Sequence, residues 1–330
     1  MKQRISFFDV AKGLLMLMVI YGHCMNWNRD VIMDKDIILL QPVQNIWQSF
    51  FMPAFFVVTG MCSNFDRAFK DFVIRNFKSL LIPCWVFTLL NPFELPNIHL
   101  VSAIKVIVLY GGDSVFWFLP TLFFSKVIYW MLRKYPPLSR SSKWMALFLL
   151  ILSFSSIFLN EVSSIPNYYF FHQVFNLTIY LFIGEALKQY INDNKIMVII
   201  LSIYITIVCF LMVLEYTVPS VTRAFHCSIR QYPLYLILSV LGSISILQVS
   251  KWINRNSILE IIGRESLVVF IFQSYFLVNF MNIYKESFLA HGCIGSVFLL
   301  ISTIVMDVIS CLFMSWLLHR YYLKWILGKF

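Results

Sequence analysis

The chain has 330 residues, 60% of them hydrophobic and 13% charged, with a mean hydropathy of +0.78. A water-soluble domain of this length cannot hide that much apolar surface, so the composition excludes a soluble enzyme and specifies a polytopic membrane protein. The net charge of +10 is spread over short loops between apolar runs rather than gathered into one patch, which excludes nucleic acid as a partner and makes membrane lipid the surrounding medium.

In chain order, Lys2 and Arg4 precede the first apolar run in the manner of a signal peptide. Asp9 and Lys12 interrupt its start and no small-residue cleavage pattern follows, so the run reads as a retained first span. Backbone polar groups in lipid must be satisfied within a segment, so each apolar run of roughly 17–25 residues reads as a helix. About ten such helices are expected, centred near Met16, Phe55, Phe87, Phe123, Phe148, Thr178, Ile205, Val240, Phe272 and Val305. Pro83 and Pro92 interrupt the third. A partly apolar stretch from Ile104 to Tyr110 precedes the fourth, and would lie along the membrane surface or re-enter it.

With the N-terminus inside, 18 Lys and Arg residues fall on the cytoplasmic side and six on the other, while Lys12 and Lys126 lie within spans. That excess fits the positive-inside rule with both termini cytoplasmic. The seven cysteines include no CxxC pair, so neither a zinc site nor a disulfide framework is indicated, and no metal is expected. No internal repeat and no long linker is visible, so residues 1–330 read as one integral membrane domain without an appended soluble part. The expected fold is therefore an all-α transmembrane helix bundle.

The first span carries the most informative pattern. At about 100° per residue, Asp9, Lys12, Met16, Val19 and His23 share one narrow stripe. Lys12 and His23 are eleven residues apart, within about 20° of each other and roughly 16 Å apart along the axis. Ionisable groups within a span normally face the bundle interior or an aqueous cavity. The plain readings are that Lys12 snorkels to the headgroups beside Asp9 and that His23 is an interfacial residue. The alternative is a polar track for a long anionic donor. Acyl-coenzyme A has that shape, with phosphates at one end near Lys12 and a thioester at the other near His23. A neutral imidazole there would take a proton from a hydroxyl or attack the thioester itself.

Several stretches resemble the acyltransferase-3 family of bacterial integral membrane acyltransferases. RISFFDVAKGLLMLMVIYGH is similar to the start of its fucose-4-O-acetylase-like branch, with Lys12 and His23 at the family's basic and histidine positions. FFMPAFFVVTG resembles the second helix, and FVIRNFKSLLIPCW the basic segment before a proline-containing third, at Arg75, Lys78 and Pro83. VFWFLPTLFF and GRESLVVFIFQ resemble two later helix starts. The resemblance implies about ten helices in a bacterial inner membrane. It also implies transfer of an acyl group, usually acetyl, from cytoplasmic acyl-CoA to a hydroxyl of a carbohydrate or glycolipid. Acetyl-CoA would be a co-substrate rather than a bound cofactor. His23 would be catalytic, with Lys12, Arg75 and Lys78 on the CoA phosphates.

This sequence departs from the branch at Phe51 and Gln273, where relatives often carry histidine. The departures imply either a different acceptor or an inactive member. Lys126 would add charge to the donor site with Asp9 supporting Lys12, or else pair with Asp307 or Glu185. His172, Asn176 and Gln273 are candidate acceptor contacts, although polar residues that hold helices together read the same way. In an outer loop, Arg223, His226 and Arg230 would bind an anionic acceptor or simply face water. Cys24 adjoins His23 but lies about 100° away. Asp307, deep in the last span, requires a partner that the sequence does not name. A homo-oligomer is compatible with all of this. A transporter of an anionic solute or lipid-linked sugar is the competing reading, and lacks the paired repeats of many transporters.

Overall fold

The computed structural model describes residues 6–27, 46–90, 100–139, 141–162, 167–191, 193–214, 227–285, 293–321 and 323–328, and these residues form helices and connecting turns with no strand among them. Arg223 and His226 lie outside the described residues. The helices are α1 (Ser6–Trp27), α2 (Phe51–Cys62), α3 (Phe69–Asn76), α4 (Ile82–Leu90), α5 (Leu100–Tyr110), α6 (Phe118–Lys134), the one-turn α7 (Pro136–Ser139), α8 (Ser142–Val162), α9 (Phe171–Leu187), α10 (Asn194–Val213), α11 (Tyr232–Ile253), α12 (Ser257–Arg264), α13 (Ser266–Lys285) and α14 (Cys293–Arg320). Every one of the ten expected centres falls inside one of them.

Among the described residues, six segments are long and apolar enough to cross a membrane: α1, α3 continued through α4, α8, α10, α11 and α14. A seventh is reached if α12 and α13, bent by 86° at their junction, count as one span. The remaining expected spans are shorter, with 12 residues in α2 and 17 each in α6 and α9. The reason is local. A 3₁₀ turn (Ser114–Phe116) precedes α6 and another (Tyr168–Phe170) precedes α9, and each takes up residues that the hydropathy pattern assigns to the span.

Prolines mark where helices begin. Pro53, Pro120 and Pro233 occupy the second or third position of α2, α6 or α11, where a missing N–H costs no helical bond, while Pro83 follows directly on a helical turn. Pro83 has a different effect. The turn before it, Phe77–Leu81, is a π-helix in which the Ile82 N–H donates to the Phe77 carbonyl. The widened turn relieves the clash between the proline ring and the preceding turn, and it carries Lys78.

Contacts divide the chain into two units. The first comprises Met1–Met52, Asn194–Ser220 and Leu241–Tyr322. In it α1 packs on α12, α13 and α14, and α13 packs along α14. Two glycines permit the crossing of α1 with α12. A Cβ on Gly13 would stand 2.2 Å from the Leu259 carbonyl oxygen, and one on Gly263 would stand 1.9 Å from that of Asp9. Helix α12 starts at Asn256, whose side chain accepts from the Leu259 N–H at 3.0 Å. On α14, Phe298, Ile301, Val305, Ile309, Phe313 and Trp316 form an exposed stripe at helical spacing, while Leu299, Thr303, Asp307 and Cys311 are buried on the other side. An apolar stripe of that length facing outward is a lipid surface.

The second unit comprises Pro53–Asp193, Val221–Val240 and Leu323–Phe330. Helices α2 and α9 cross through another glycine pair, Gly60 against the Leu181 carbonyl and Gly184 against that of Val57. Helix α9 also packs on α6 and α8. Hydroxyls inside these helices bond to the carbonyl one turn back, as Thr88 does to Cys84, Thr121 to Trp117 and Thr178 to Val174. That local bond satisfies a polar group without water.

Candidate active site

In the first unit the α1 stripe has two polar ends separated by packing. Asp9 is buried, and its carboxylate lies 3.6 Å from the Lys12 ammonium, which stays partly exposed. Both flank the glycine crossing with α12, so the backbone that carries the Lys12–Asp9 pair is fixed by that contact. Met16 and Val19, between Lys12 and His23, are buried. The stripe is therefore a cation and a histidine joined by core side chains, not a continuous polar lane.

His23 is half-buried at the other end. Beside it the packing changes character. A Cβ on Gly22 would meet no atom within 4 Å, whereas Gly13 lies against backbone. Cys24, the next residue, is fully buried, and Asp307 of α14 is its electrostatic neighbour. Gln273 of α13 is buried, and its Oε1 receives no hydrogen bond among the described residues. Phe51 is half-buried.

The second unit holds a cluster of cations. Arg75, at the end of α3, and Lys78, in the π turn, are exposed and three residues apart. Lys126 of α6 lies 5.8 Å from the centroid of the Phe72 ring and has Arg75 and Arg67 as positive neighbours. The Ser63–Ala68 loop that leads into α3 is clamped from two helices. Arg133 of α6 bonds to Asp66 at 2.6 Å, Trp130 donates to the Arg67 carbonyl at 3.1 Å, and Lys188 donates to the Ser63 carbonyl at 3.2 Å. The Arg133 guanidinium holds the Asp66 carboxyl below the usual carboxylate range, first through this hydrogen bond and then through its charge. Arg133 also contacts Glu185 at 3.2 Å, and Tyr129 donates to Glu185 at 2.6 Å. Glu185 is thus engaged by Arg133 and Tyr129. Arg67, Arg75 and Lys126 thus lie near one another beside a loop tied down by side chains from two helices.

His172 and Asn176 tie α9 to α8. The His172 ring nitrogen Nδ1 lies 3.2 Å from the Ser156 carbonyl, and Asn176 donates to the Ser153 hydroxyl at 3.1 Å. Tyr232 bonds to that same hydroxyl, and Tyr180 to Ser239 at 2.6 Å. The Oδ1 of Asn176 receives no hydrogen bond among the described residues, so Asn176 keeps one acceptor position. Among the described residues no three His, Cys, Asp or Glu side chains group to hold a metal ion.

Sequence reasoning missed Arg67, Arg133 and the Asp66 clamp. The run of cations from Arg67 to Lys78 is visible in the sequence, but the residues of α6 that hold its loop are more than sixty positions away.

These features define a multi-pass helical membrane protein with a half-buried histidine on its first helix and separate clusters of cations. The family model for the acyltransferase domain of the acyltransferase-3 family matches residues 5–325, and the chain belongs to that family. No curated protein and no solved structure matches the chain.

Proposed function

We propose that this protein is a membrane O-acyltransferase that moves an acyl group, most concretely acetyl, from acyl-CoA to a hydroxyl of a cell-surface polysaccharide or lipid-linked glycan. The observation that carries the reading is a half-buried His23 on the membrane-length helix α1, eleven residues from Lys12, in an acyltransferase chain. Lys12, Arg75 and Lys78 bind the CoA phosphates from the cytoplasm. Asp9 orients Lys12, and Lys126 adds to the field around Arg75. The setting is a bacterial inner membrane with both termini inside.

His23 takes the proton of the acceptor hydroxyl as its oxygen attacks the thioester carbonyl. The C–S bond then breaks, and the departing thiolate takes the proton from the imidazolium. Exclusion of water by the packed helices limits hydrolysis of the thioester. Gln273 and Asn176, each with an oxygen that receives no hydrogen bond among the described residues, and His172 contribute to acceptor recognition. The test is the mass of surface glycans from cells with and without the protein. A loss of acetyl units in its absence supports the reading, and identical glycans in both would overturn it.

A further inference from the structure

Helices α13 and α14 run antiparallel, and two contacts set their register. The Ser315 hydroxyl donates to Glu265 at 2.9 Å, and the Cys311 thiol approaches the Val269 carbonyl at 4.0 Å. Four residues back on α14 correspond to four residues forward on α13. One more turn brings Asp307 level with Gln273, and the next brings Thr303 level with Leu277. All four of these side chains are buried, with Asp307 and Thr303 at 0% exposure and Gln273 at 1%.

Both carboxylate oxygens of Asp307, the Oε1 of Gln273 and the hydroxyl of Thr303 have no hydrogen-bond partner among the described residues. Thr303 stands apart from Thr88, Thr121 and Thr178, whose hydroxyls bond back along their own helices. A buried polar atom without a partner is destabilising, and a group of them on one seam calls for an explanation. The four oxygens accept hydrogen bonds, and the Thr303 hydroxyl and the Gln273 amide N–H groups beside them donate. Their natural complement is a ligand whose groups both donate and accept, as hydroxyls do. Asp307 is an electrostatic neighbour of Cys24, the residue after His23.

We propose that Asp307, Gln273 and Thr303 form a clamp for hydroxyl groups of the carbohydrate acceptor, making Asp307 a specificity-determining residue. The inference rests on the acyltransferase reading and assigns the acceptor to this seam. The reasoning is chemical. The acyl thioester and the CoA phosphates donate no hydrogen bonds, and the amide and hydroxyl donors of the CoA arm are spaced singly along a chain. A sugar brings adjacent hydroxyl donors, and a carboxylate with a neighbouring amide oxygen accepts from two of them.

The test uses the full-length protein in vesicles, with radiolabelled acetyl-CoA as donor and oligosaccharides released from the producing cells' surface glycan as acceptor. The variants are Asp307→Asn, Asp307→Leu and Thr303→Val. The acceptor KM rises about tenfold in both Asp307 variants, as loss of a buried hydrogen bond predicts, while the KM for acetyl-CoA stays within about twofold. Thermal stability separates this role from a structural one. Removing an unpartnered buried acid leaves the melting temperature of Asp307→Leu unchanged or raised, whereas a structural acid would lower it.

An unchanged acceptor KM in Asp307→Asn and Thr303→Val overturns the clamp, as does a parallel rise in both KM values. Sodium-dependent activity that disappears in Asp307→Asn with acceptor KM intact also overturns it, in favour of a cation site. A wild-type protein that transfers no label removes the acyltransferase reading itself. That outcome differs from transfer that is insensitive to Asp307.

Discussion

The crossing of α1 with α12 places the Asp9–Lys12 pair, and the Gly13→Ala variant tests how tightly. The added Cβ would stand 2.2 Å from the Leu259 carbonyl oxygen, 2.9 Å from its carbon and 3.1 Å from its Cα. These are backbone atoms, so no flexible side chain can yield, and the two helices must separate by about 1 Å to reach ordinary contact. Overpacking of this kind costs about 1–3 kcal/mol. For a chain of this size that corresponds to a melting temperature lowered by roughly 1.5–4 °C. The matched control is Gly22→Ala, where the new methyl meets nothing within 4 Å and gains up to about 1 kcal/mol of helix propensity. Thermal unfolding of detergent-purified protein should therefore rank Gly22→Ala at or above wild type and Gly13→Ala below it. Transfer activity of Gly13→Ala should fall about tenfold or more, since a displacement of 1 Å can cost that much. Wild-type stability and activity in Gly13→Ala would refute the reasoning.

Three further outcomes follow. Lys12→Ala raises the KM for acetyl-CoA about tenfold, Lys12→Arg much less, and the acceptor KM is unmoved in both, as measured by steady-state transfer. Arg75→Ala combined with Lys78→Ala has the same donor-specific effect and flattens the dependence of acetyl-CoA binding on salt, checked by titration at two ionic strengths. The Asp66–Arg133 clamp makes the Ser63–Ala68 loop acid-sensitive. Because the folded-state value of Asp66 is lowered, its stabilising effect is fully present above the ordinary carboxylate range and is lost as pH falls through the lowered value. Hydrogen exchange in that loop, corrected for the intrinsic rate at each pH, increases on acidification in wild type. In Arg133→Ala it starts high and changes little with pH.

The ten hydropathy centres were legible because lipid imposes one solution on the backbone, and each centre lies in a helix. Helix lengths were less so. The 3₁₀ turns before α6 and α9 depend on Asp113, which accepts from the Val115 N–H, and on left-handed backbone at Tyr169 and Phe170. A residue-by-residue hydropathy reading carries neither signal. The glycines of the AKG and GRES stretches looked like motif letters, and the structure gives them a physical task as two halves of one helix crossing. Sequence spacing alone put Asp9 beside Lys12, since a three-residue interval on a helix brings them together. It could not choose between Asp307 and Glu185 for Lys126. Nor could it give the register that sets Asp307 level with Gln273, because that depends on contacts across two helices.

The central claim is that His23 carries the transfer chemistry. Its most direct test is transfer of radiolabel from acetyl-CoA to the acceptor glycan by purified protein in vesicles, comparing wild type with His23→Ala. The account predicts label on the glycan with wild type, and a loss of about a hundredfold or more in the variant, with acetyl-CoA binding retained. Equal labelling by both proteins, or solute uptake into the vesicles with no labelled glycan, would contradict it.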